Sequence, residues 1–323
     1  MRSFFALALA GFAAADGMSH LKAQFMSWLQ AHGRNYITAE EFQARFDIWR
    51  ENHNFIQTHN SMSKTHTVAH NQFSDRTDDE YSAMNGFINL NKYDRSSRVY
   101  QKLPKTTVDS IDWVELGAVT PVKNQKSCGS CWSFSATGAM EGAHQIKTGE
   151  LLSLSEQQLV NCSHKQGNLG CMGGMMDRAF RYAEGVRMET EESYPYKGWT
   201  LDNACLADES LGVVGVTGFT DVTPNDSDAL KAAIAQQPVS VAIEADQRAF
   251  KFYQSGIITE NCGTNLDHGV LAVGFGTDNG TEFIKVKNSW DTTWGEDGYV
   301  RIAVTDGAGM CGINSQPSFP ATD

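Results

Sequence analysis

The fold of this chain is decided by one stretch, Gln125-Lys126-Ser127-Cys128-Gly129-Ser130-Cys131-Trp132-Ser133-Phe134. Cys131 follows a Gly-Ser turn and begins a segment that is typical of a helix. A thiol at a helix N-terminus lies near the positive end of the helix dipole and near unpaired backbone N–H groups, which favour the nucleophilic thiolate. Cys128 lies three residues earlier, and Cys-x-x-Cys is also a redox and metal-binding spacing. The stretch alone leaves a nucleophile and a redox pair both open.

Two distant residues, together with Gln125 just before Cys131, supply the other groups that a thiol nucleophile needs. His268 lies 137 residues after Cys131, at the start of a strand-like run, and Asn288 lies 157 residues after it. If adjacent, Cys131 and His268 form an ion pair whose thiolate is populated at mildly acidic pH, because a thiol beside a cation titrates at roughly 3.5–7.5. Asn288 would orient the imidazole, with Trp290 shielding that hydrogen bond, and Gln125 would donate its amide to an oxyanion.

The N-terminus and the cysteines indicate an exported protein. Arg2 precedes an apolar run that ends in small residues before Asp16, which predicts a signal peptide over 1–15. That run is shorter than the roughly 20 residues that span a bilayer, and no other run approaches this length, so no membrane span is expected. An odd cysteine count in an exported protein predicts three disulfides and one free thiol. The seven cysteines are Cys128, Cys131, Cys162, Cys171, Cys205, Cys262 and Cys311.

Charge is distributed unevenly along the chain. Residues 1–106 hold 12 Lys and Arg against 10 Asp and Glu, whereas residues 107–323 hold 14 against 28. The first part is therefore +2 and the second −14, an acidity that argues against nucleic acid as a partner. We expect no cofactor and no metal. Six of the nine histidines precede residue 107, and we predict that their protonation below about pH 5–6 loosens the first part from the second.

Hydrophobic patterning predicts a helix-rich half followed by a strand-rich half, and therefore two lobes with a cleft between them. Two helices are predicted before residue 86, over 17–32 and 38–60, and a polar linker follows over about 86–106. A capping box of Ser153 and Glu156 predicts the start of another helix. The remaining predicted helices and strands are Ala179–Gly185, Ser227–Gln236, Val239–Ile243, Gly269–Gly276, Glu282–Asn288 and Tyr299–Val304.

The second predicted helix carries a stripe with steps of 4, 4, 3, 4 and 4 residues, which keep side chains on one helical face. Its Arg and Asn members need partners, because unpaired polar groups that face a core are costly. The members of the stripe are Glu41, Arg45, Trp49, Asn52, Ile56 and Asn60. The stripe resembles the helical motif of the inhibitory propeptides of papain-like cysteine proteases, in the variant with Trp for Phe. The run Asn71-x-Phe73-x-Asp75 is similar to the second propeptide motif of that family, although Ala69 stands where Gly is usual.

The cysteine stretch carries the same resemblance. Cys-Gly-Ser/Ala-Cys-Trp/Tyr, with His and Asn about 130–150 residues later, is the signature of the papain–cathepsin family; Asn288 falls slightly past that window. The chain after the signal peptide is thus identified as similar to a papain-like cysteine protease (peptidase family C1) of the cathepsin L type, made as a zymogen. The resemblance implies an α+β, two-lobed fold with a helical lobe (107–218) and a β-barrel-like lobe (219–323). It also implies an inhibitory prodomain (16–106) whose linker crosses the cleft in reverse to a substrate.

The resemblance further implies roles for individual residues. Gln125 becomes the oxyanion donor, Cys131 the nucleophile, His268 the base and Asn288 its orienter. The implied disulfides are Cys128–Cys171, Cys162–Cys205 and Cys262–Cys311, which leave Cys131 free. The implied substrate-binding residues, with Gly173 and Gly174 along the substrate backbone and most of the others around the S2 pocket, are Gly173, Gly174, Met175, Met176, Ala242, Leu266, Gln316 and Trp294.

Several expectations follow for substrates and partners. Met172 and Asp291 depart from the family pattern, and both departures concern loops. Gln316, at the floor of the S2 pocket, is neutral, so we predict an apolar or aromatic P2 preference. Because no insertion that could occlude the cleft lies between Gln158 and Cys205, we predict an endopeptidase. Its partners would be protein or peptide substrates, its own propeptide and cystatin-type inhibitors, and its destination a lysosome or similar acidic compartment, or secretion.

Two other functions are weighed against the protease. A thiol-disulfide oxidoreductase would use Cys128 and Cys131 as a coupled pair, and an inactive binding homologue would lack catalytic side chains, although all four positions are occupied. Three Asn-x-Ser/Thr sequons lie at Asn161, Asn225 and Asn279, of which Asn161, beside a cysteine, is the least suited to glycosylation.

Overall fold

The computed structural model describes residues 18–63, 65–89, 100–101, 103–200 and 204–323; the predicted signal peptide and residues 90–99 of the linker lie outside these ranges. The described helices are α1 (18–31), α2 (Ala39–Met62), α3 (Asp78–Ser82), α4 (Cys131–Thr148), α5 (Glu156–Cys162), α6 (Met176–Gly185), α7 (Ser227–Ile234) and α8 (Arg248–Lys251). The described strands are β1 (His66–Val68), β2 (Tyr100–Gln101), β3 (Ile111–Asp112), β4 (Val216–Val222), β5 (Val239–Ile243), β6 (Tyr253–Ile258), β7 (His268–Asp278), β8 (Thr281–Lys287), β9 (Tyr299–Ala303) and β10 (Ser318–Thr322).

Helices α1 and α2 pack through an aromatic cluster that includes Phe25, Trp28, Phe46 and Trp49, all buried. The Thr38 side chain caps α2 by accepting a hydrogen bond from the backbone of the third residue beyond it. Aromatic rings of this size dominate the energetics of a small core. The first part of the chain therefore has a core of its own.

The polar members of the α2 stripe find partners in the segment that follows the helix. Asn52 Nδ2 donates to the Ser74 carbonyl (3.0 Å), and Asn60 exchanges two hydrogen bonds with the backbone of Val68 (2.8 and 2.9 Å). Arg45 forms a two-pronged ion pair with Glu80. The stripe thus ties residues 66–80 to the helix, as its polarity requires.

A ten-stranded sheet runs through the rest of the described chain, in the order β1-β6-β9-β8-β7-β5-β10-β4-β2, with β3 paired to β7 off this path. Most pairs are antiparallel; the β6–β9 and β2–β4 pairs are parallel. Both terminal strands, β1 and β2, come from the part of the chain before residue 107. The first part of the chain therefore covers both edges of the sheet that the second part builds.

The second part has two buried cores. One, around Trp132, Met140 and Phe180, joins α4, α5 and α6. The other, around Ile284 and Trp290, joins α7, α8 and most of the strands. Helix α4 passes beside β5, β7 and β10, so its N-terminus lies where the two cores meet. No helix in the described ranges combines the length and apolar character needed to cross a membrane.

The predicted helices and strands agree with the structure to within a few residues, except at the start of α5. That helix begins at Glu156, and its N-cap is Ser155, whose side chain accepts from the Gln158 N–H. The predicted Ser153–Glu156 capping box is wrong, because the Glu156 carboxylate is buried and engaged by Lys123 (2.6 Å). The predicted elements do not include the strands β1, β2, β3, β4, β6 and β10 or the short helices α3 and α8.

Candidate active site

Cys131 is the first residue of α4, and its side chain is fully buried. Ser130 precedes the 18-residue helix without a side-chain capping bond, so the first-turn N–H groups and the helix dipole act on the thiol. The sulfur accepts hydrogen bonds from the backbone N–H groups of Gly86 and Gly269, each at 3.3 Å. Gly269 follows His268 directly, so β7 brings the histidine to the cysteine.

His268 is the first residue of β7, and its ring is held from two sides. Its Nε2 lies 2.8 Å from Asn288 Oδ1, which also accepts from the Ser289 N–H. An amide oxygen can only accept, so Nε2 carries the proton and Nδ1 is left as a basic nitrogen. Nδ1 is buried and has no hydrogen-bond partner among the described residues. The Trp290 ring stacks on the imidazole, with centroids 4.6 Å apart, and shields the His268–Asn288 bond.

Gln125 is fixed by the residue after Asn288. Ser289 Oγ donates to Gln125 Oε1 (2.6 Å), and the Gln125 N–H donates to the Ser289 carbonyl (2.9 Å). With its oxygen engaged, the Gln125 amide must turn Nε2 toward the cleft, where it donates to the Met84 and Cys128 carbonyls, both at 2.9 Å. Ser289 belongs to the site, and the sequence offered no signal for its role beyond its position beside Asn288.

Residues 84–89 lie across this cleft. The Gly174 N–H donates to the Gly86 carbonyl (2.9 Å), and the Ile88 N–H donates to the Gly174 carbonyl (3.0 Å), so the segment pairs with Gly174 in parallel. On the other side, the Phe87 N–H donates to the Asp267 carbonyl (2.9 Å). The first part of the chain is therefore held against both lobes directly over the thiol.

Gly86 cannot be another residue without a rearrangement. A Cβ atom at this position would lie 1.8 Å from the Gly129 carbonyl oxygen. Both clashing groups are backbone, so no side-chain rotation could relieve the contact. The close approach lets the Gly86 N–H reach the Cys131 sulfur, and nothing in the sequence singled this glycine out.

Phe87 is buried. It belongs to the same apolar cluster as four of the predicted S2 residues, Met175, Met176, Ala242 and Leu266. At the same end, Gln316 Nε2 donates to Asn89 Oδ1 (3.0 Å). Gly173 has a φ of +122°, and added Cβ atoms at Gly173 and Gly174 would meet the Gly86 carbonyl and the Trp132 ring at 2.7 and 2.6 Å. Trp294 lies elsewhere, fully buried against Trp290, with Nε1 donating to the Lys251 carbonyl.

Burial under the covering segment makes both reacting groups neutral in this form. It raises the pKa of the Cys131 thiol to about 11, although the Gly269 and Gly86 N–H groups act in the opposite direction. It lowers the pKa of His268 to about 4, against the effect of the hydrogen bond that His268 donates to Asn288. The covered site therefore disfavours the thiolate–imidazolium pair.

The structure contains the disulfides Cys128–Cys171, Cys162–Cys205 and Cys262–Cys311, each with a Cα–Cα distance of 4.7 Å. Cys131 is the free cysteine. Because Cys128 is bridged to Cys171, it cannot form a redox pair with Cys131, which removes the basis of the oxidoreductase alternative. The bridge also anchors the turn before α4, where the Gly129 N–H donates to the Cys171 carbonyl (3.0 Å).

Comparison with known families agrees with this geometry. Residues 107–321 match the model of the papain family cysteine protease, and residues 25–81 match the cathepsin propeptide inhibitor domain (I29). The chain belongs to the papain family of cysteine proteases. It is a cysteine protease with an inhibitory propeptide, and the predicted α+β papain-like fold and zymogen class are confirmed.

Individual relatives are plant proteases and insect zymogens. The chain is 43% identical over 310 residues to the probable cysteine protease RD21C of Arabidopsis thaliana, which covers 93% of this chain and 68% of that protein. It is 42% identical to the oryzain beta chain of Oryza sativa subsp. japonica, over 93% of this chain and 66% of that protein. The structure of digestive procathepsin L 3 of Tenebrio molitor larval midgut superimposes with a TM-score of 0.84 at 37% identity, covering 93% and 99% of the two chains.

Proposed function

We propose that this papain-family zymogen hydrolyses peptide bonds through Cys131, His268, Asn288 and Gln125. In the uncovered site, the Cys131 thiolate attacks the scissile carbonyl carbon, and the resulting oxyanion accepts hydrogen bonds from Gln125 Nε2 and the Cys131 N–H. The His268 imidazolium then gives its proton to the leaving amine, and a thioester remains. Water, deprotonated by His268, attacks the thioester carbon; the C–S bond breaks, the acid product leaves and the thiolate–imidazolium pair is restored.

The observation that carries this proposal is the way residues 84–88 occupy the cleft. Gln125 Nε2 holds the Met84 carbonyl, so the proposed oxyanion donor already binds a peptide oxygen. Gly86, in contrast, presents its N–H to the sulfur and turns its carbonyl to Gly174. The segment therefore offers the nucleophile a hydrogen-bond donor in place of an electrophile, which supports inhibition without cleavage.

Phe87 supports an apolar or aromatic P2 preference. It is buried in the same apolar cluster as Met175, Met176, Ala242 and Leu266, the residues implied for the S2 pocket, and Gln316 carries no charge. A P2 cation in this pocket would lose hydration without gaining a carboxylate partner. Gly173 and Gly174 would bind the substrate backbone. Trp294 would contribute only indirectly, by packing against Trp290.

Maturation is proposed to remove the prodomain, residues 16–106, from the catalytic domain, 107–323, near Lys105–Val108. Residues 107–110 are exposed, and Lys105 pairs with Asp228 only at the surface (2.9 Å).

We further propose delivery through the secretory pathway to a lysosome or similar acidic compartment, or secretion, and inhibition by cystatin-type proteins. Asn225 and Asn279 are exposed glycosylation candidates, whereas Asn161 is buried and donates to Tyr194 Oη.

The test is to acidify the purified full chain and to assay dipeptide substrates that differ only at P2. We expect kcat/KM for P2 Phe to exceed that for P2 Arg by about 100-fold or more, because burying an unpaired charge costs several kcal/mol. N-terminal sequencing of the product locates the processing site, and alkylation without reductant should label Cys131 alone. The Cys131→Ala chain is the control; activity in that variant, or equal rates for Phe and Arg, would contradict the proposal.

A further inference from the structure

The prodomain occupies one edge of the catalytic sheet at a place distinct from the cleft. Strand β1 pairs with β6 in antiparallel fashion, with Thr67 opposite Ser255, and β6 pairs on its other side with β9. Removal of the prodomain, which belongs to the proposed function on which this inference rests, leaves the β6 edge without its partner strand. An uncovered edge presents backbone donors and acceptors that pair readily with another extended chain.

The contacts at this edge are tolerant of sequence. The Ile257 N–H donates to the Thr65 carbonyl (2.9 Å), and the Ala69 N–H donates to the Phe252 carbonyl (2.8 Å). Hydroxyl pairs join the side chains on the exposed face, Thr67 Oγ1 to Ser255 Oγ and Thr65 Oγ1 to Thr259 Oγ1, both at 2.9 Å. Main-chain bonds of this kind provide affinity for many extended segments, so specificity must come from what lies beside the strand.

Two cations lie beside it, on α8. Arg248 Nη2 contacts Asp78 Oδ2 (2.9 Å) and Glu51 Oε1 (2.7 Å), and Lys251 Nζ contacts Asp78 Oδ1 (3.3 Å). The Lys251 side chain is fully buried in this form, with its ammonium 5.2 Å from the centre of the Tyr81 ring. When the prodomain leaves, both cations lose their carboxylate partners within a domain whose formal charge is −14.

We propose that the mature enzyme uses the β6 edge, together with Arg248 and Lys251, as an exosite that captures an extended, acidic segment of a protein substrate. The prodomain displays the matching pattern, a short strand followed ten residues later by Asp78. A second copy of the catalytic domain is a poorer occupant, because it would bring the same two cations and another −14 domain into contact. The exosite holds the substrate chain away from the thiol and raises its local concentration at the cleft.

The experiment uses acid-activated enzyme, a P2 Phe dipeptide substrate and casein as an unfolded acidic protein substrate. The probe is a synthetic peptide of residues 65–82 of this chain, which ends before the residues that contact Cys131. We expect the probe to inhibit casein cleavage while changing dipeptide hydrolysis less than twofold, and its Asp78→Asn form to inhibit at least fivefold more weakly. Arg248→Gln should raise KM for casein at least fivefold and leave dipeptide kcat/KM unchanged.

Arg181→Gln, the same charge change on an exposed residue of α6, is the matched control. The inference is overturned if the probe inhibits both substrates equally, if Arg248→Gln leaves casein cleavage unchanged, or if Arg181→Gln has the same effect as Arg248→Gln. Unchanged dipeptide hydrolysis shows that a variant is folded. An enzyme that cleaves neither substrate would contradict the proposed function itself, which is a separate outcome.

Discussion

The catalytic domain and the prodomain bury ionisable groups in opposite ways. In the catalytic domain, Lys123 lies between Glu141 (3.0 Å) and Glu156 (2.6 Å), both with side chains about 1% exposed, and Lys287 donates to Thr120 nearby. Burial alone would raise the pKa of Glu141, but the facing lysines outweigh it and hold that pKa below its ordinary value. Charges are thus buried in pairs, within a domain that three disulfides cross-link.

The prodomain buries neutral histidines instead. His53 Nδ1 lies 3.0 Å from His70 Nε2, and the His70 ring stacks on Trp49 with centroids 4.3 Å apart. A second pair, His59 and His66, has ring centroids 4.6 Å apart, beside the β1–β6 contact with the catalytic domain. Burial lowers the pKa of His70 to about 3 and of His66 to about 4, and each partner histidine lowers it further.

The difference shows how one chain can combine a catalytic domain that stays stable at acidic pH with a prodomain that acid destabilises. The Lys123–Glu141 pair loses little when the pH falls moderately, because the pKa of Glu141 is held below its ordinary value, whereas burial raises the pKa of Glu156 to about 7 and lets that carboxylate take up a proton within the fold. A neutral buried histidine destabilises the docked, folded prodomain progressively as the pH drops below the ordinary histidine pKa, since a state that exposes the ring binds a proton that the folded state excludes. The buried histidines are the groups through which the predicted acid-loosening would act, and that loosening stays a prediction.

The largest effect is expected from breaking the buried charge pairs of the catalytic domain. Glu141→Gln leaves Lys123 and Lys287 with less compensation and should lower the free energy of unfolding by about 3 kcal/mol, the usual loss when one member of a buried pair is removed. Urea unfolding of the Cys131→Ala full chain measures it. The matched prodomain change, Glu80→Gln, breaks a partly exposed pair and should cost about 1 kcal/mol or less. Equal losses at both sites would remove the contrast.

The second prediction concerns the contact between the two regions. Gly86→Ala places a Cβ atom against the Gly129 carbonyl and should displace the covering segment, at a cost of about 3 kcal/mol. Cys131 should then react with iodoacetamide at pH 7 about 100-fold faster than in the wild-type zymogen. Gly218→Ala is the control, because a Cβ atom there meets no atom within 4 Å. An unchanged alkylation rate for Gly86→Ala would show that the segment does not protect the thiol.

The third prediction tests the titration of the prodomain. K is the equilibrium constant for docking of the prodomain on the catalytic domain. Because the pKa values of His66 and His70 are lowered in the docked state, K is highest above about pH 6.5. Each histidine then lowers K by up to about tenfold per pH unit between pH 6.5 and its docked pKa. The slope of log K against pH gives the number of protons taken up when the prodomain is released. His66→Asn and His70→Asn should each reduce this number by up to about one. Hydrogen exchange of the Cys131→Ala chain between pH 4.5 and 7 measures K. His20→Asn, at an exposed position, should leave the slope unchanged.

The slope separates titration from packing. A substitution that only loosens the prodomain changes K at every pH by the same factor and leaves the slope as it was. Such a result for both His66→Asn and His70→Asn would mean that other groups, such as the surface carboxylates, drive acid release.

The sequence singled out the candidate catalytic residues because their chemistry is specific, and their catalytic roles stay a prediction. It pointed to Cys131, His268 and Asn288 by residue type and spacing, and it predicted most of the longer helices from their hydrophobic period. It misplaced the start of α5, because Ser153 and Ser155 each precede a Glu or Gln by three residues, and only the burial of Glu156 decides between them.

What the sequence did not predict depends on long-range contacts. Strands β1 and β2 are two or three residues long, so no period-2 pattern could reveal them, and their partners lie more than 100 residues away. The role of Gly86 follows from the approach of Gly129, which is 43 residues distant. Such features arise from the pairing of the two regions, and neither region displays them by itself.

The smallest effect, and the one that joins the two regions, is expected at Ser289. Its hydroxyl fixes the Gln125 amide, whose Nε2 holds the Met84 carbonyl in the zymogen and, as proposed, the oxyanion in the mature enzyme. Ser289→Ala should lower kcat about three- to tenfold with little change in KM, a fraction of the loss of about 10²–10³ that follows removal of an oxyanion donor. Ser240→Ala, which removes another buried hydroxyl donor, is the control.

The same variant should weaken zymogen protection less than it weakens catalysis. A hydrogen bond to a developing oxyanion is charge-assisted and roughly twice as strong as a bond to a neutral carbonyl such as that of Met84. Cys131 alkylation in the Ser289→Ala zymogen should therefore rise less than threefold while kcat falls further. If alkylation rises as much as kcat falls, Gln125 serves inhibition and catalysis equally, and the prodomain then imitates the charge of the transition state as well as the position of a substrate oxygen.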